Sequence, residues 1–187
     1  TIPHFYLHTE ADAAPLVEIR RQINLQAEAT HGNKYTVNDL SLKAVIGALQ
    51  AVPSVNATFQ GDHILQFGEI GVAVAVAVED GLVTPVVRNA TAKSLLQISR
   101  EVKDLAARAR EGKLLPNEFD GGTITVSNLG AYGIEAFDAI IHPPQAAIIS
   151  VGSILETPVV VGGEIVPGLR LHLGLSCHHR VVAPPGS

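Results

Sequence analysis

The sequence predicts a single α/β domain in which helices pack on a mixed β-sheet, and three features carry that expectation. The chain has 187 residues, 47% of them hydrophobic and 17% charged, which suits one well-buried domain and leaves too little for two. Stretches with an apolar period of two, or short unbroken Val/Ala runs, recur along the chain as strands require. Between them lie stretches with a 3.6-residue apolar period that open on capping residues, as helices do. Aromatic residues make up only 4%, so the core must be built from Val, Ile, Leu and Ala.

Residues 2–9 alternate aromatic or apolar with polar side chains and predict the first strand. Asp12 is placed to cap a helix with apolar positions Leu16, Ile19, Ile23 and Ala27, and Pro15 falls in its first turn, where a missing N–H costs little. Thr36 with Asp39 imitates a capping box for a second helix, whose apolar face is read as Leu40, Ala44, Ile46 and Leu49 and which Pro53 ends. Residues 57–67 predict a hairpin turning at Gly61-Asp62. Residues 69–78 predict a Val/Ala strand covered on both faces, and 82–87 another after the Asp80-Gly81 turn. Ser94 with Gln97 forms a capping box for a third helix that buries Leu95, Ile98, Val102, Leu105 and Ala109 and closes at Gly112 and Pro116. Residues 123–127 predict a strand running into Asn128-Leu129-Gly130. Residues 146–155 and 169–179 predict two more, with Gly162-Gly163 turning a hairpin between them.

Composition also excludes functions. A net charge of −5 without a basic stripe argues against nucleic acid as a partner. No apolar run reaches the ~18 residues of a spanning helix, so no membrane segment is expected. No signal peptide is expected either. The single cysteine, Cys177, excludes an internal disulfide framework and fits a reducing compartment. The chain opens at Thr1 and contains no Met, so its natural start is expected to lie upstream. Residues 183–187 read as a loop-like tail or a cloning scar.

Four strings occur in order at natural spacing: Thr84-Pro85-Val86-Val87-Arg88-Asn89-Ala90, residues 121–130 (GGTITVSNLG), Pro143-Pro144-Gln145-Ala146-Ala147-Ile148, and residues 175–182 (LSCHHRVV). Together they make residues 1–182 resemble the catalytic core domain of the dihydrolipoamide acyltransferases of 2-oxoacid dehydrogenase complexes. The resemblance implies a chloramphenicol acetyltransferase-like fold, a mixed sheet with helices packed on one side, assembled as a homotrimer. It implies cubic or dodecahedral cores built of such trimers, with the dehydrogenase and dihydrolipoamide dehydrogenase components as partners. It further implies acyl transfer between dihydrolipoamide and coenzyme A as thiol substrates, in the bacterial cytoplasm or mitochondrial matrix, with no nucleic acid or membrane. No lipoyl-lysine segment occurs in the chain, so the lipoyl group is expected on a separate domain. The acyl group is not legible, because acetyl, succinyl and branched-chain members share these strings.

A thiol with a reference pKa near ~8.5 must lose its proton to attack a thioester, and histidine is the natural base. The collapsing intermediate carries an oxyanion that a fixed donor should face. On the resemblance, His179 matches the catalytic base and Ser127 the oxyanion donor, supplied by a neighbouring subunit. Without it, the same residues read better as a strand-end histidine with a structural hydrogen bond and an ordinary turn serine. The chain departs from the family string Asp-His-Arg-Val-Val-Asp-Gly: His178 stands for the first carboxylate, Ala183 for the second and Pro184 for the glycine. Two explanations follow, a trimmed end or a catalytically impaired subunit that serves the core structurally. Cys177 and His179 should point to one side of their strand, and His172 and His178 to the other, so no metal site is expected. Lys93 and Arg88 could meet coenzyme A phosphates but suit surface solvation better.

Overall fold

The computed structural model describes residues 1–183. In chain order it contains β1 (His4–Asp12), α1 (Ala14–His31), α2 (Val37–Ala51), β2 (Ala57–Phe59), β3 (Ile64–Gln66), β4 (Val72–Val74), β5 (Val76–Val78), β6 (Gly81–Val83), β7 (Val86–Val87), α3 (Leu95–Arg110), β8 (Ile124–Asn128), β9 (Ala147–Val161) and β10 (Glu164–His178). Six strands form the main sheet in the order β1-β10-β9-β8-β4-β7, while β2-β3 and β5-β6 are separate two-stranded ribbons. Strand β8 runs parallel to both β4 and β9, and the other pairs are antiparallel, so the sheet is mixed as expected.

Local chemistry sets the helix starts. At α2 the Thr36 hydroxyl accepts from the Asp39 N–H while the Asp39 carboxylate accepts from the Thr36 N–H. Ser94 and Gln97 do the same at α3, so both predicted capping boxes are present. Helix α1 differs. Asp12 is the last residue of β1 and Ala13 is the N-cap, but the Asp12 carboxylate still reaches the Ala14 N–H at 3.0 Å. The buried face of α2 is also rotated from its predicted position. It presents Leu42, Val45, Ile46 and Leu49, with Leu40 half-buried and Ala44 exposed. Positions 42, 45, 46 and 49 form an unbroken i, i+3, i+4, i+7 row, which the larger side chains win. Of the predicted α1 stripe, Ala27 is buried and Leu16 and Ile23 are half-buried, while Ile19 is 49% exposed.

Strand register sorts side chains onto two faces, since neighbours across a ladder point the same way. One face carries Val72, Val74, Ile124, Val126 and Val151, which pack with Leu42 and Ile46 of α2 and Ile98 of α3 in a single apolar core. Each such side chain, fully buried, stabilises the fold by ~1.5–3 kcal/mol. The other face carries Thr125, Ser127, Ser150, Gly174 and Ser176, and residues 133–146 cover much of it without forming a helix or strand. Side-chain hydroxyls hold that covering segment: Ser150 donates to the Phe137 carbonyl at 2.8 Å, and Ser176 to the Ala139 carbonyl at 2.6 Å. Thr125 donates to the Gln145 amide oxygen, and Ser153 donates to the Gly130 and Ile134 carbonyls. A small apolar cluster of Ala139, Ile141 and Ile148 sits beneath it.

Several predicted strands have different limits. The expected strand 69–78 is two strands. Ala75 interrupts it, donating its N–H to the Val126 carbonyl, after which the chain leaves the main sheet and pairs with β6. The expected strand 82–87 breaks at Thr84-Pro85, where the proline has no N–H for a ladder. Strands β9 and β10 run longer than expected, 15 residues each, around Gly162 and Gly163, both at positive φ (58° and 83°). The register of this pair slips by one residue opposite Leu171–Leu173, at Gly152-Ser153.

Candidate active site

Ser127 is the fourth residue of β8, half-buried, and it lines a cleft of about 540 Å³. The cleft lies between the C-terminal end of the central strands, the start of α2 and the flank of α3, with Arg20, Asn38, Val74, Val102 and Tyr132 among its walls. Its charge is one-sided. Arg20 and Arg110 line it, and among the described residues its lining includes no Asp, Glu or His. The Nε of Arg20 is buried with no hydrogen-bond partner among the described residues. Below Ser127 the backbone turns sharply. The Gly130 N–H donates to the Asn128 Oδ1 at 2.9 Å, and the Asn128 Nδ2 donates to the Asn38 Oδ1 at 3.3 Å. A cleft of this kind can stabilise a developing negative charge, but its described lining offers no Asp, Glu or His to remove a proton.

His179 lies one residue beyond the end of β10 and is exposed. Its N–H donates to the Pro3 carbonyl at 2.9 Å, and its ring meets Phe5 edge-on with centroids 5.2 Å apart. Its neighbour His178 is buried, 5% exposed, with its ring 5.7 Å from that of Phe59 and Arg180 stacked 5.3 Å over the same phenyl ring. Burial, reinforced by the nearby charge of Arg180, pushes the His178 imidazole below its ordinary pKa. The Arg180 N–H donates to its Nδ1 at 3.3 Å. His178, where the family string has a carboxylate, is therefore held neutral.

The two predicted site residues are far apart within one chain. Ser127 pairs with Ser150, and Ser150 with Gly174, so along β10 Ser127 is level with Gly174, five residues before His179. Five strand residues span ~17 Å, and two strand spacings of ~4.8 Å separate β8 from β10, so the residues lie on the order of 19 Å apart. The sheet fixes that separation.

The remaining singled-out residues have structural partners. Cys177 is fully buried, which pushes its thiol up to about 11. His172 lies 3.4 Å from Glu10, and no cluster of three or more His, Cys, Asp or Glu side chains comes together among the described residues. Lys93 pairs with Glu101 at 2.6 Å, and Arg88 donates to the carbonyls of Asp120 and Asn117, so neither is the simply solvated cation expected. Ala183 is exposed, and Pro184 lies outside the described residues. Sequence reading did not single out Asn38 or Arg20. Asn38 stands between the two members of a capping box, where polar residues are ordinary, and Arg20 stands in the row of Leu16, Ile23 and Ala27 on the packed face of α1, where the stem of a long cationic side chain can cover apolar surface.

The mixed sheet with helices on one face is the fold of the chloramphenicol acetyltransferases, one of which superposes with a TM-score of 0.58 at 15% identity, covering 97% of this chain and 81% of that one. The chain belongs to the 2-oxoacid dehydrogenases acyltransferase (catalytic domain) family, whose model matches residues 1–184. It is 44% identical over 182 residues to the dihydrolipoyllysine-residue acetyltransferase component of the pyruvate dehydrogenase complex of Rickettsia conorii, covering 97% of this chain and 44% of that protein. It is also 44% identical over 186 residues to the mitochondrial component 3 of Arabidopsis thaliana, covering 97% of this chain and 34% of that one. The chain thus spans less than half the length of these relatives. A dihydrolipoamide acetyltransferase structure from Azotobacter vinelandii superposes with a TM-score of 0.93 at 36% identity, covering 98% of this chain and 76% of that one. That structure was determined to examine the role of a serine, a histidine and an asparagine in catalysis, placed 52 and then four residues apart. A structure of the cubic core of a pyruvate dehydrogenase multienzyme complex also superposes at 0.93, with 35% identity over 98% of this chain and 76% of that one.

Proposed function

We propose that the chain is the catalytic domain of a dihydrolipoamide acyltransferase, which moves an acyl group between dihydrolipoamide and coenzyme A at a site shared by two subunits. One observation carries this reading: the Ser127 cleft has donors and positive charge but no Asp, Glu or His among the described residues, while His179 stands exposed at the far end of the same sheet. The serine–histidine spacing of the Azotobacter enzyme recurs in Ser127 and His179, which supports their roles. His179 of one subunit takes the thiol proton. The thiolate forms a bond to the thioester carbon and the carbonyl electrons move onto oxygen, where Ser127 of the partner donates a hydrogen bond. The intermediate collapses, the old carbon–sulfur bond breaks, and the leaving thiolate regains the proton from the imidazolium.

The acyl group follows the relatives, which are acetyltransferases. Assembly into trimers would bring Ser127 of one copy and His179 of another together, and the cubic core of one relative supports a larger assembly built from them. The dehydrogenase and dihydrolipoamide dehydrogenase components would then be partners, with the lipoyl group on another domain. The relatives' bacterial and mitochondrial sources support the bacterial cytoplasm or the mitochondrial matrix as the compartment. One observation favours a second reading, an impaired core subunit. Ala183 stands where the Azotobacter enzyme has its asparagine, and it has no polar group to orient His179.

The test is acetyl transfer from acetyl-coenzyme A to dihydrolipoamide. Ser127→Ala and His179→Ala are each expected to lower turnover, the former about 10²- to 10³-fold. Mixing the two inactive variants and reassembling them should restore turnover, because some interfaces then pair an intact serine with an intact histidine. Active wild type without restoration would sink the shared site. Inactive wild type that still assembles would favour the structural reading.

A further inference from the structure

We infer that Phe5 is a positioning residue for His179, its ring fixing how the base is presented to the partner subunit, an inference that rests on the acyl-transfer reading. Strands β1 and β10 pair His4 with His178 and Phe5 with Cys177. The His179 N–H donates to the Pro3 carbonyl, which carries that register one residue past the strand end. Pro3 has no N–H to return a bond, so the ladder stops there. Side chains alternate along a strand, so His179 falls on the side of Cys177 and diagonally across from Phe5, a spacing that aromatic side chains can bridge. The two rings do meet, with centroids 5.2 Å apart and planes at 67°. Edge-on contacts of this kind attract beyond the area they bury.

The backbone around the base is tied down separately. The Val181 and Val182 N–H groups both donate to the His178 carbonyl at 2.9 Å, and the Arg180 guanidinium lies over the Phe59 ring. No hydrogen bond holds the His179 ring nitrogens among the described residues, so packing sets the rotamer, and Phe5 is the half-buried ring packed against it. An orientation that a polar side chain at 183 could supply by hydrogen bonding comes here from a ring on the neighbouring strand. Both residues belong to one chain, so the base reaches the interface already aimed.

Phe5→Leu keeps an apolar side chain but removes the ring, whereas Phe5→Tyr keeps the ring. In acetyl transfer by the assembled protein, Phe5→Leu is expected to lower kcat about two- to tenfold with KM for acetyl-coenzyme A nearly unchanged, because fewer imidazoles then stand in the productive rotamer. Phe5→Tyr should hold kcat close to wild type. Phe5→Leu with wild-type kcat, a change confined to KM, or Phe5→Tyr falling as far as Phe5→Leu would each overturn the inference. A second readout does not depend on turnover. Crystal structures should show one His179 ring orientation in wild type and more than one in Phe5→Leu, and a single shared orientation would overturn the inference. If wild type transfers no acetyl group yet the two structures differ in this way, the acyl-transfer reading fails while the Phe5 contact stands.

Discussion

The two faces of the main sheet are held by different physics. On the helix-covered face the strands contribute Val72, Val74, Ile124 and Val126 to one apolar core, and cohesion is non-directional. On the opposite face the strands contribute hydroxyls and a glycine. Their hydroxyls donate to carbonyls of residues 133–146, a segment with no strand or helix of its own to satisfy them. The first face tolerates repacking because any apolar shape of the right volume serves. The second tolerates little, since each bond needs its own donor, and each bare carbonyl left behind would carry a desolvation cost. Ser127, on this second face where the cover gives way, is thus set by the hydrogen-bonding half of the molecule.

The contrast can be broken most severely from the apolar side. Ile124→Ala, at a residue 1% exposed in the centre of the core, is expected to cost about 2–5 kcal/mol of global stability by urea titration. Amide exchange should accelerate throughout the sheet and helices together. A loss below ~1 kcal/mol would mean that this face is not the main source of cohesion.

Gly152→Ala strikes the other face alone. Its Cβ would lie 1.9 Å from the Glu135 carbonyl oxygen, so the covering segment must move away. The expected cost is ~1–3 kcal/mol, and faster exchange should be confined to residues near 133–142 while α2 and α3 stay protected. Uniform acceleration would show that the two faces unfold as one unit.

The smallest effect sharpens the comparison by pH. His178 lies on the segment face, and its folded pKa is lowered, so the unfolded chain binds its proton first. Its contribution is fully present above the unfolded value near ~6.5 and is lost as pH falls from there towards the folded value. Wild type should therefore lose stability between neutral pH and pH 5 more steeply than His178→Gln, as followed by denaturant midpoints. Equal slopes would place the burial cost elsewhere.

What was legible in the sequence follows the same division. The capping boxes at Thr36 and Ser94 were readable because every atom involved lies within four residues. The α3 face was readable from its period, and the fold class from the alternation of strand and helix patterns. The breaks at Ala75 and at Thr84-Pro85 were not, because they arise where a strand changes partners, and partners are distant in sequence. Residues 133–146 have no period at all. Their place is written in Thr125, Ser150 and Ser176, hydroxyls that look like ordinary polar strand residues until the segment is laid across them. Ser127 and His179 were singled out from the strings around them and stand as proposed site residues, whereas the one-sided charge of the cleft and the hydrogen bond from Asn128 to Asn38 required three-dimensional neighbours.

The register that keeps Ser127 and His179 at opposite ends of one sheet also bears on the life of the chain before assembly. Hydrogen-bonded strands do not slide, so no loop movement can close that gap. If the site is shared as proposed, a newly made, solitary chain would carry two inert halves and leave the cell's thioesters untouched without needing an inhibitor. Competence would then arrive only on meeting another copy, making dilution an off-switch and specific activity a gauge of how much of the protein has found its neighbours.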